Sequence, residues 1–564
     1  MFNLRAACLA ILTVPGPIVA QPLAHQWARR VGSNNDAEKL WRIAVDEFGN
    51  VFAAGTLRGT FSDQGVTATS VGGSDILLVK YAPNGDLLWA RTAGGPTNDA
   101  AFGVDTDKDG NVYITGAYSG LAVFGDTLVS NVDPDGAGLP FTFVARYSPA
   151  GDLVWVRTMD VGFLTGIYPY AIGYAIKVDR LGDLVIVGAY NNTLASTGDP
   201  AISTMSFDGQ GFRTCGLNGY DYTYVHRMDT LGNTEWVHTV GGQNGLGTLL
   251  SIAFDGQNNI WAGGNVYSNP FTPYIDGPVN LGISASTTLT GAALEYDATG
   301  QPLNGFLLDC NEQSNVEDLL VAGNGDVYLS GWHRGSFFGS PAASGIDGFL
   351  MRATAGGTPV WTHRLVGVSD DFFSGIATTT QANELVGGAF YFFQADFAGT
   401  TLAQSVGTIS ALIRVDTMGT LLEAVQPEVL AGYSLIADVQ SDLFGNFYLC
   451  GDIGGQVRFG PDTLQCLSQD MYVCKIGPDE AQVVDGPAEA DEGWTLYPNP
   501  AQDGITIVHA EREVAFTLHA MDGSLVRTVA PSAGPRAVDL SGLANGLYLV
   551  RDDRGRAQRL VVAR

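Results

Sequence analysis

One ten-residue pattern, Asp-x-x-Gly-Asn/Asp-apolar-aromatic-apolar-x-Gly, returns along most of this 564-residue chain and leaves few folds open to it. It runs from Asp46 through Gly49 and Asn50 to Gly55, from Asp107 through Gly110 and Asn111 to Gly116, from Asp179 through Gly182 and Asp183 to Gly188, and from Asp442 through Gly445 and Asn446 to Gly451. Weaker copies end at Gly264, Gly331 and Gly388, so seven terminal glycines stand 57 to 76 residues apart. Between them lies a second pattern: an apolar run, Lys or Arg, a turn with Gly, then Trp four residues after the Gly. Lys80 to Trp89, Arg146 to Trp155, Arg227 to Trp236 and Arg352 to Trp361 follow it, and Asn304 and Glu423 hold the Trp slot in degenerate copies.

Each pattern is a hairpin. In the first, Asp46 caps the turn through its carboxylate and Gly49 takes the positive φ that a tight turn needs. In the second, Pro83 presets φ and Gly85 closes the turn. Flanking runs such as Ile76–Tyr81 are apolar on nearly every residue, as strands are when both sheet faces are covered. Four strands in roughly 65 residues, repeated and buried on both faces, describe blades around an axis. The expectation is an all-β chain: a seven-bladed β-propeller over 21–478, then a small C-terminal β-sandwich. The last unit stops at Lys475 without its Trp strand, whereas the mature N-terminus begins with an orphan one around Trp27. The first strand is therefore expected to close the ring and remove an exposed edge. Trp27, Trp89, Trp155, Trp236 and Trp361 share this slot and read first as packing residues.

These motifs resemble bacterial seven-bladed propeller repeats. The resemblance speaks for fold and says little of function, because such a scaffold carries many activities.

Residues 1–20 have Arg5, an apolar stretch over 6–14, the breaker Pro15-Gly16-Pro17, and Ala20 before Gln21, the layout of a secretory signal peptide. No later run is long and apolar enough for a transmembrane helix. Five cysteines follow the leader: Cys215, Cys310, Cys450, Cys466 and Cys474. No C-x-x-C spacing points to zinc or redox chemistry, and a bridge between Cys450 and Cys474 in neighbouring strands is open. The 29 Lys+Arg against 58 Asp+Glu give a formal charge of −29, which argues against a nucleic-acid partner.

An acidic, Pro/Gly-containing linker spans 479–493. The segment 494–564 carries Tyr497-Pro498-Asn499-Pro500, an Asp522-Gly523 turn, Gly546-Leu547-Tyr548 and an apolar end, read as a sandwich of short strands. In order and content it resembles the type A C-terminal sorting domain of type IX secretion substrates, though it ends in Arg564 where many end in lysine. The resemblance implies export through the type IX machinery to the outer-membrane surface or exterior of a Gram-negative bacterium.

Features present in every blade belong to the fold, so function is sought where the repeat breaks. Asp105, Asp107 and Asp109 have D-x-D-x-D-G spacing suited to calcium, but Gly116 stands where an EF-hand loop has its bidentate Glu, and the same residues form a hairpin turn. No other cofactor is suggested. His238 and His363 occupy a repeat slot held elsewhere by Arg29, Arg91 and Arg157. Oversized insertions at 189–220 and 265–291 are candidate recognition elements, whereas the clusters Tyr168-Pro169-Tyr170 and Phe390-Tyr391-Phe392-Phe393 read first as packing between blades and second as sugar or peptide platforms. Asp370-Asp371 reads as a solvated loop pair before it reads as an acid/base pair. No H-E-x-x-H, G-x-S-x-G or P-loop motif occurs. The expectation is a monomeric, non-catalytic binding or adhesion scaffold for a glycan or protein. The alternatives are a polysaccharide lyase or hydrolase with acids at the propeller mouth, and a structural surface component.

Overall fold

Asp46 shows why the first pattern takes the form it does. Its Oδ1 accepts the N–H of Phe48 (2.9 Å) and of Asn50 (2.8 Å), while Asn50 Nδ2 donates to Asp46 Oδ2 at 2.8 Å. Gly49 supplies φ of 77°. Asp107 with Asn111 and Asp442 with Asn446 repeat this reciprocal cap. The terminal glycine has a different cause. A Cβ on Gly55, Gly116, Gly188, Gly264, Gly331 or Gly451 would stand 1.9–2.0 Å from a backbone oxygen of the neighbouring strand.

A computed structural model of the chain describes 22–33, 38–131, 138–162, 169–191, 204–211, 222–241, 247–267, 274–275, 289–341, 345–378, 384–442 and 445–478. In the C-terminal part it describes 495–497, 504–508, 514–520, 525–532, 536–543, 546–552 and 557–562. Residues 1–20, residues 479–493 and most of both insertions lie outside these residues.

Among the described residues the propeller strands fall into seven sets of four. Unit 1 is Lys39–Val45, Val51–Leu57, Asp75–Tyr81 and Leu87–Ala93; unit 2 is Ala100–Thr106, Val112–Ser119, Pro140–Tyr147 and Leu153–Thr158. Units 3 to 6 begin with the innermost strands Tyr170–Val178, Gly247–Phe254, Gln313–Val321 and Phe372–Thr378. Unit 7 comprises Glu428–Ser441, Phe447–Phe459, Asp462–Pro478 and, at its outer edge, Leu23–Val31 from the other end of the chain. That last pairing is antiparallel, with Ala28 opposite Cys474 and Trp27 opposite Lys475. Each innermost strand packs on the next, and that of unit 7 packs on that of unit 1.

The seams between units are stitched by a recurring device. Between its second and third strands, a unit carries a small hairpin such as Thr60–Asp63 with Val66–Thr69, or extends both strands into one, as do Leu385–Phe397 and Thr400–Val415. The turns are of the primed kind that match strand twist: Gln64-Gly65, Asp208-Gly209, Phe338-Gly339 and Ala398-Gly399 all have positive φ at both positions. The hairpin then pairs with the chain leaving the preceding unit, as in Gly94 with Val123, Asp160–Gly162 with Thr204–Phe207, Val240 with Ile275, Cys310 with Phe337, and Leu365 with Phe397. Within the two insertions, 189–191, 265–267 and 289–291 are ends of the unit strands, and the other described parts, 204–211 and Tyr274–Ile275, are copies of this stitch.

The Trp slot crosses the seams as well. Trp27 Nε1 donates to Pro83 O (3.0 Å), Trp89 Nε1 to Pro149 O (3.1 Å), Trp236 Nε1 to Ala298 O (3.2 Å) and Trp361 Nε1 to Thr417 O (3.1 Å), each in the turn of the following unit. Asn304 keeps the bond without the ring, donating through Nδ2 to Ala355 O at 2.7 Å.

The Cys450–Cys474 bridge is corrected. Both are free and buried; Cys474 pairs with Leu449 and Cys450 with Val473, so the thiols emerge on opposite faces of the sheet. In the C-terminal part, three strands (Thr495–Tyr497, Gly504–Val508, Arg536–Asp539) and four strands (Leu525–Ser532, Val514–Ala520, Gly546–Asp552, Ala557–Val562) share a core of Ile505, Ile507, Phe516, Leu518, Val550 and Leu560.

Candidate functional site

The axis is where repeat-breaking polar residues gather. All seven innermost strands have a register irregularity at the same point, between Leu40 and Arg42, Ala101 and Gly103, Gly173 and Ala175, Leu249 and Ser251, Val316 and Asp318, Phe373 and Ile376, and Ile436 and Asp438. Bulges of this kind re-aim side chains. On one side they bring Trp41 and Phe102 to 5.4 Å and Phe102 and Tyr174 to 5.6 Å between ring centroids. Asp318 and Asp438 lie near both Arg42 and Lys177, and Glu317 lies near Arg42.

These acids are spent on the fold. Asp438 Oδ2 accepts Ile43 N–H (3.0 Å), Asp318 Oδ2 accepts Ile376 N–H (2.9 Å) and Asp105 Oδ2 accepts Val178 N–H (2.7 Å), each from the innermost strand of the next unit. Ser251 Oγ does the same for Leu319 N–H at 2.9 Å and donates to Asp318 Oδ1 at 2.6 Å. Burial opposes charge on Arg42, yet Asp438, Asp318 and Glu317 raise its pKa above the usual value; Asp105, Asp438 and Asp318 do so for Lys177. The space they enclose with Gly103, Ala175 and Gln440 is about 30 Å³, one water's worth. This knot staples units together and has no room for a substrate.

A ligand-sized cavity lies instead between units 5 and 6. It measures about 720 Å³, within the range of small-molecule pockets, and is open to solvent. The turn Phe338-Gly339 forms one wall, the turn Ala398-Gly399 another, and the strand residues Thr362, His363 and Arg364 the floor, with Asp309 and Asp396 at the sides. Asp396 is fixed by Gly399 N–H (3.1 Å), and Arg364 by Pro341 O (2.9 Å) and by Asp347 Oδ2 at 3.5 Å. Behind Arg364, Asp347, Asp371 and His333 are all buried. Burial pushes the Asp371 carboxyl up to about 7 and that of Asp347 up to about 6, the latter opposed by Arg364. His333, stacked on Phe337 at 4.4 Å, is pushed down to about 4 by burial and Arg364.

Of the candidate residues, Asp105 is the staple described above and also lies 3.4 Å from Lys177 Nζ. Asp107 is consumed by its turn and by Tyr113 Oη at 3.1 Å, and Asp109 is exposed beside Lys108. Among the described residues, no group of three or more His, Cys, Asp or Glu is placed to hold a metal ion. His363 Nε2 donates to Gly419 O at 2.7 Å, as Arg29 Nε and Arg91 Nε donate to Gly85 O and Gly151 O. Tyr391 is buried and Phe390 stacks on Phe372, while Phe392 and Phe393 are 37% and 42% exposed. Tyr168 lies outside the described residues, and Tyr170 is half-buried. Asp370 is exposed and accepts Ile346 N–H at 3.0 Å, but Asp371 is fully buried, which corrects its reading as a solvated residue. Sequence reasoning missed the cavity because its walls are hairpin turns that look alike in every unit. Tyr497 pairs with Thr506 and Gly546 with Val562; Tyr548 is core, and 498–500 lie outside the described residues.

Residues 495–562 match the secretion system C-terminal sorting domain. The chain is 22% identical over 489 residues, 71% of its length, to an uncharacterised WD repeat-containing protein of Acanthamoeba polyphaga mimivirus, and spans 34% of that relative. Among solved structures it is similar to the Dos1 propeller (9% identity, TM-score 0.36, 81% of this chain and 95% of that one). It is also similar to PorZ, a surface component of the type IX secretion system of Porphyromonas gingivalis (11% identity, TM-score 0.22, 95% and 100%). No described helix is long and apolar enough to cross a membrane. The chain is a β-propeller repeat protein, secreted or displayed at the cell surface, that carries a type IX C-terminal sorting domain.

Proposed function

We propose that this protein is a non-catalytic binding scaffold for a glycan or protein, with the cavity between units 5 and 6 as its recognition surface. The seven four-strand sets act as blades of one ring fastened by the strand containing Trp27, over 21–478. The segment 1–20 serves as signal peptide, 479–493 as linker and 494–564 as the address read by the type IX machinery, and the mature protein is a monomer. The observation that carries the reading is the contrast between the two polar sites. The axial acids are bonded to the next unit's backbone, whereas the cavity offers Arg364, Asp309, Asp396 and the half-buried Phe338 at an open surface. Side chains of both charges beside an aromatic face suit hydroxyl-rich or peptide ligands.

The test is a screen of the mature protein against host and microbial glycans and peptides, with polymer length followed in parallel. Phe338→Ala and Asp309→Asn are expected to weaken a hit at least tenfold while leaving the melting curve in place. Shortening of a polymer would replace this reading with that of an enzyme using the elevated carboxyls behind Arg364.

A further inference from the structure

Three seams share a feature absent from the others. The third strand of units 1, 5 and 7 enters with a buried acid, Asp75, Asp347 and Asp470, where the other units have Phe141, Tyr222, Thr290 and Ser410. Each acid faces a second one at the start of the next unit: Asp75 faces Asp99, Asp347 faces Asp371, and Asp470 faces Glu38. Buried carboxylates need a proton, a cation or a metal to offset lost hydration.

Two of these seams supply a cation at one register position. Arg30, opposite Tyr472, pairs with Asp470, and Arg364, opposite Phe349, pairs with Asp347. At the seam of units 1 and 2 the same position, opposite Leu77, holds Thr92, which donates to Thr69 O. There Asp75 and Asp99 are 0% and 1% exposed, and no cationic side chain among the described residues is paired with either. Asp75 Oδ1 has no hydrogen-bond partner. It is aimed at Asp99: a Cβ built on Gly94 would stand 2.8 Å from Asp75 Oδ1 and 2.8 Å from Asp99 Oδ2. The glycine thus leaves a small cradle between two carboxylate oxygens.

We infer that Asp75 and Asp99 bind a calcium ion, which takes the place of the arginine found at the equivalent seams. Two hard, anionic oxygens suit calcium, with water or backbone carbonyls completing its shell, and the ion is abundant outside cells. Asp75 Oδ2 accepts Val71 N–H (2.5 Å), and Asp99 accepts Gly95 N–H and Ser119 N–H (2.8 Å each), so the buried, unpartnered Asp75 Oδ1 is what distinguishes this site from the Asp105-Asp107-Asp109 loop.

The test compares melting of the mature protein after chelation and after calcium is restored, with direct titration of calcium by calorimetry. With calcium about a hundredfold above Kd, Tm is expected to rise by roughly 3 °C. Asp75→Asn is expected to abolish that rise. Because that variant could also weaken the seam, Thr92→Arg supplies the second arm: it should melt without calcium as high as the wild-type protein does with it, and no longer respond to the ion. A wild-type Tm indifferent to calcium, or a Thr92→Arg protein that still binds it with unchanged affinity, overturns the inference; the first result leaves a shared proton as the occupant.

Discussion

Glu423, in the Trp slot of unit 6, accepts the backbone N–H of Leu23 through both carboxylate oxygens at 3.2 Å. In units 1, 3, 4, 5 and 7 the slot donates to a carbonyl in the next unit's outer turn. Unit 7 has no such turn, because the chain enters its outer strand anew at Leu23, and what stands there is a free N–H. A donor is replaced by an acceptor, and the apparent degeneracy of the repeat at Glu423 follows from where the ring is cut.

Glu423→Ala is expected to lower stability by about 1–3 kcal/mol, since it removes the bond to Leu23 and the 2.5 Å ion pair with the buried Arg414. Denaturant melts measure the loss. Limited proteolysis should show cleavage appearing first near the N-terminal strand, and Glu423→Gln should fall between wild type and Ala.

Deleting residues 21–33 strips the outer strand from unit 7 and exposes the long strand Asp462–Pro478 as an edge. The truncated protein is expected to aggregate or to be cut rapidly by protease. A monomer on size exclusion with an unchanged Tm would count against closure.

Gly116→Ala places a Cβ 1.9 Å from Ala100 O at the axial irregularity, a clash with backbone that no side-chain movement relieves. A loss of at least about 2 kcal/mol in chemical denaturation is expected. Gly209→Ala, in a hairpin turn with nothing within 4 Å of the added atom, should be limited to the strain of its positive φ of 78°.

Stability should fall as pH rises from about 5 to about 8 in calcium-free buffer. Burial lifts Asp371 and Asp452 to about 7, and Asp452 is raised further by Asp470, so the folded chain keeps protons that the unfolded chain releases near 4. The stability contributed by the neutral form is complete below the unfolded value and is lost as pH climbs through 7. Asp371→Asn, compared with wild type in melts across that range, should flatten the decline.

Local chemistry was legible and contacts between units were not. The caps of Asp46 and Asp442 and the positive φ of Gly49 and Gly85 follow from a few adjacent residues, so the hairpins could be read directly. The need for a strand at Trp27 followed from counting Trp slots. The stitching hairpins were hidden because strands of four residues have little periodicity and turns such as Gln64-Gly65 or Ala398-Gly399 carry a weak signature. The axial staples were hidden because Asp438 and Ile43 are far apart in sequence, and a calcium-like spacing at Asp105–Asp109 drew attention from the bond Asp105 makes to Val178. Asp371 looked like a loop carboxylate because exposure is a property of the seam and not of its neighbours in the chain.

The pairing of the first strand with the last is tested most directly by a cross-link. Ala28 lies opposite the native Cys474, and both side chains belong to one core cluster. Ala28→Cys followed by mild oxidation is predicted to join the introduced thiol to Cys474, seen by mass spectrometry of the unreduced digest. A link formed instead to Cys466 or Cys450, or none under conditions where the protein remains folded, would contradict a ring closed by its own N-terminus.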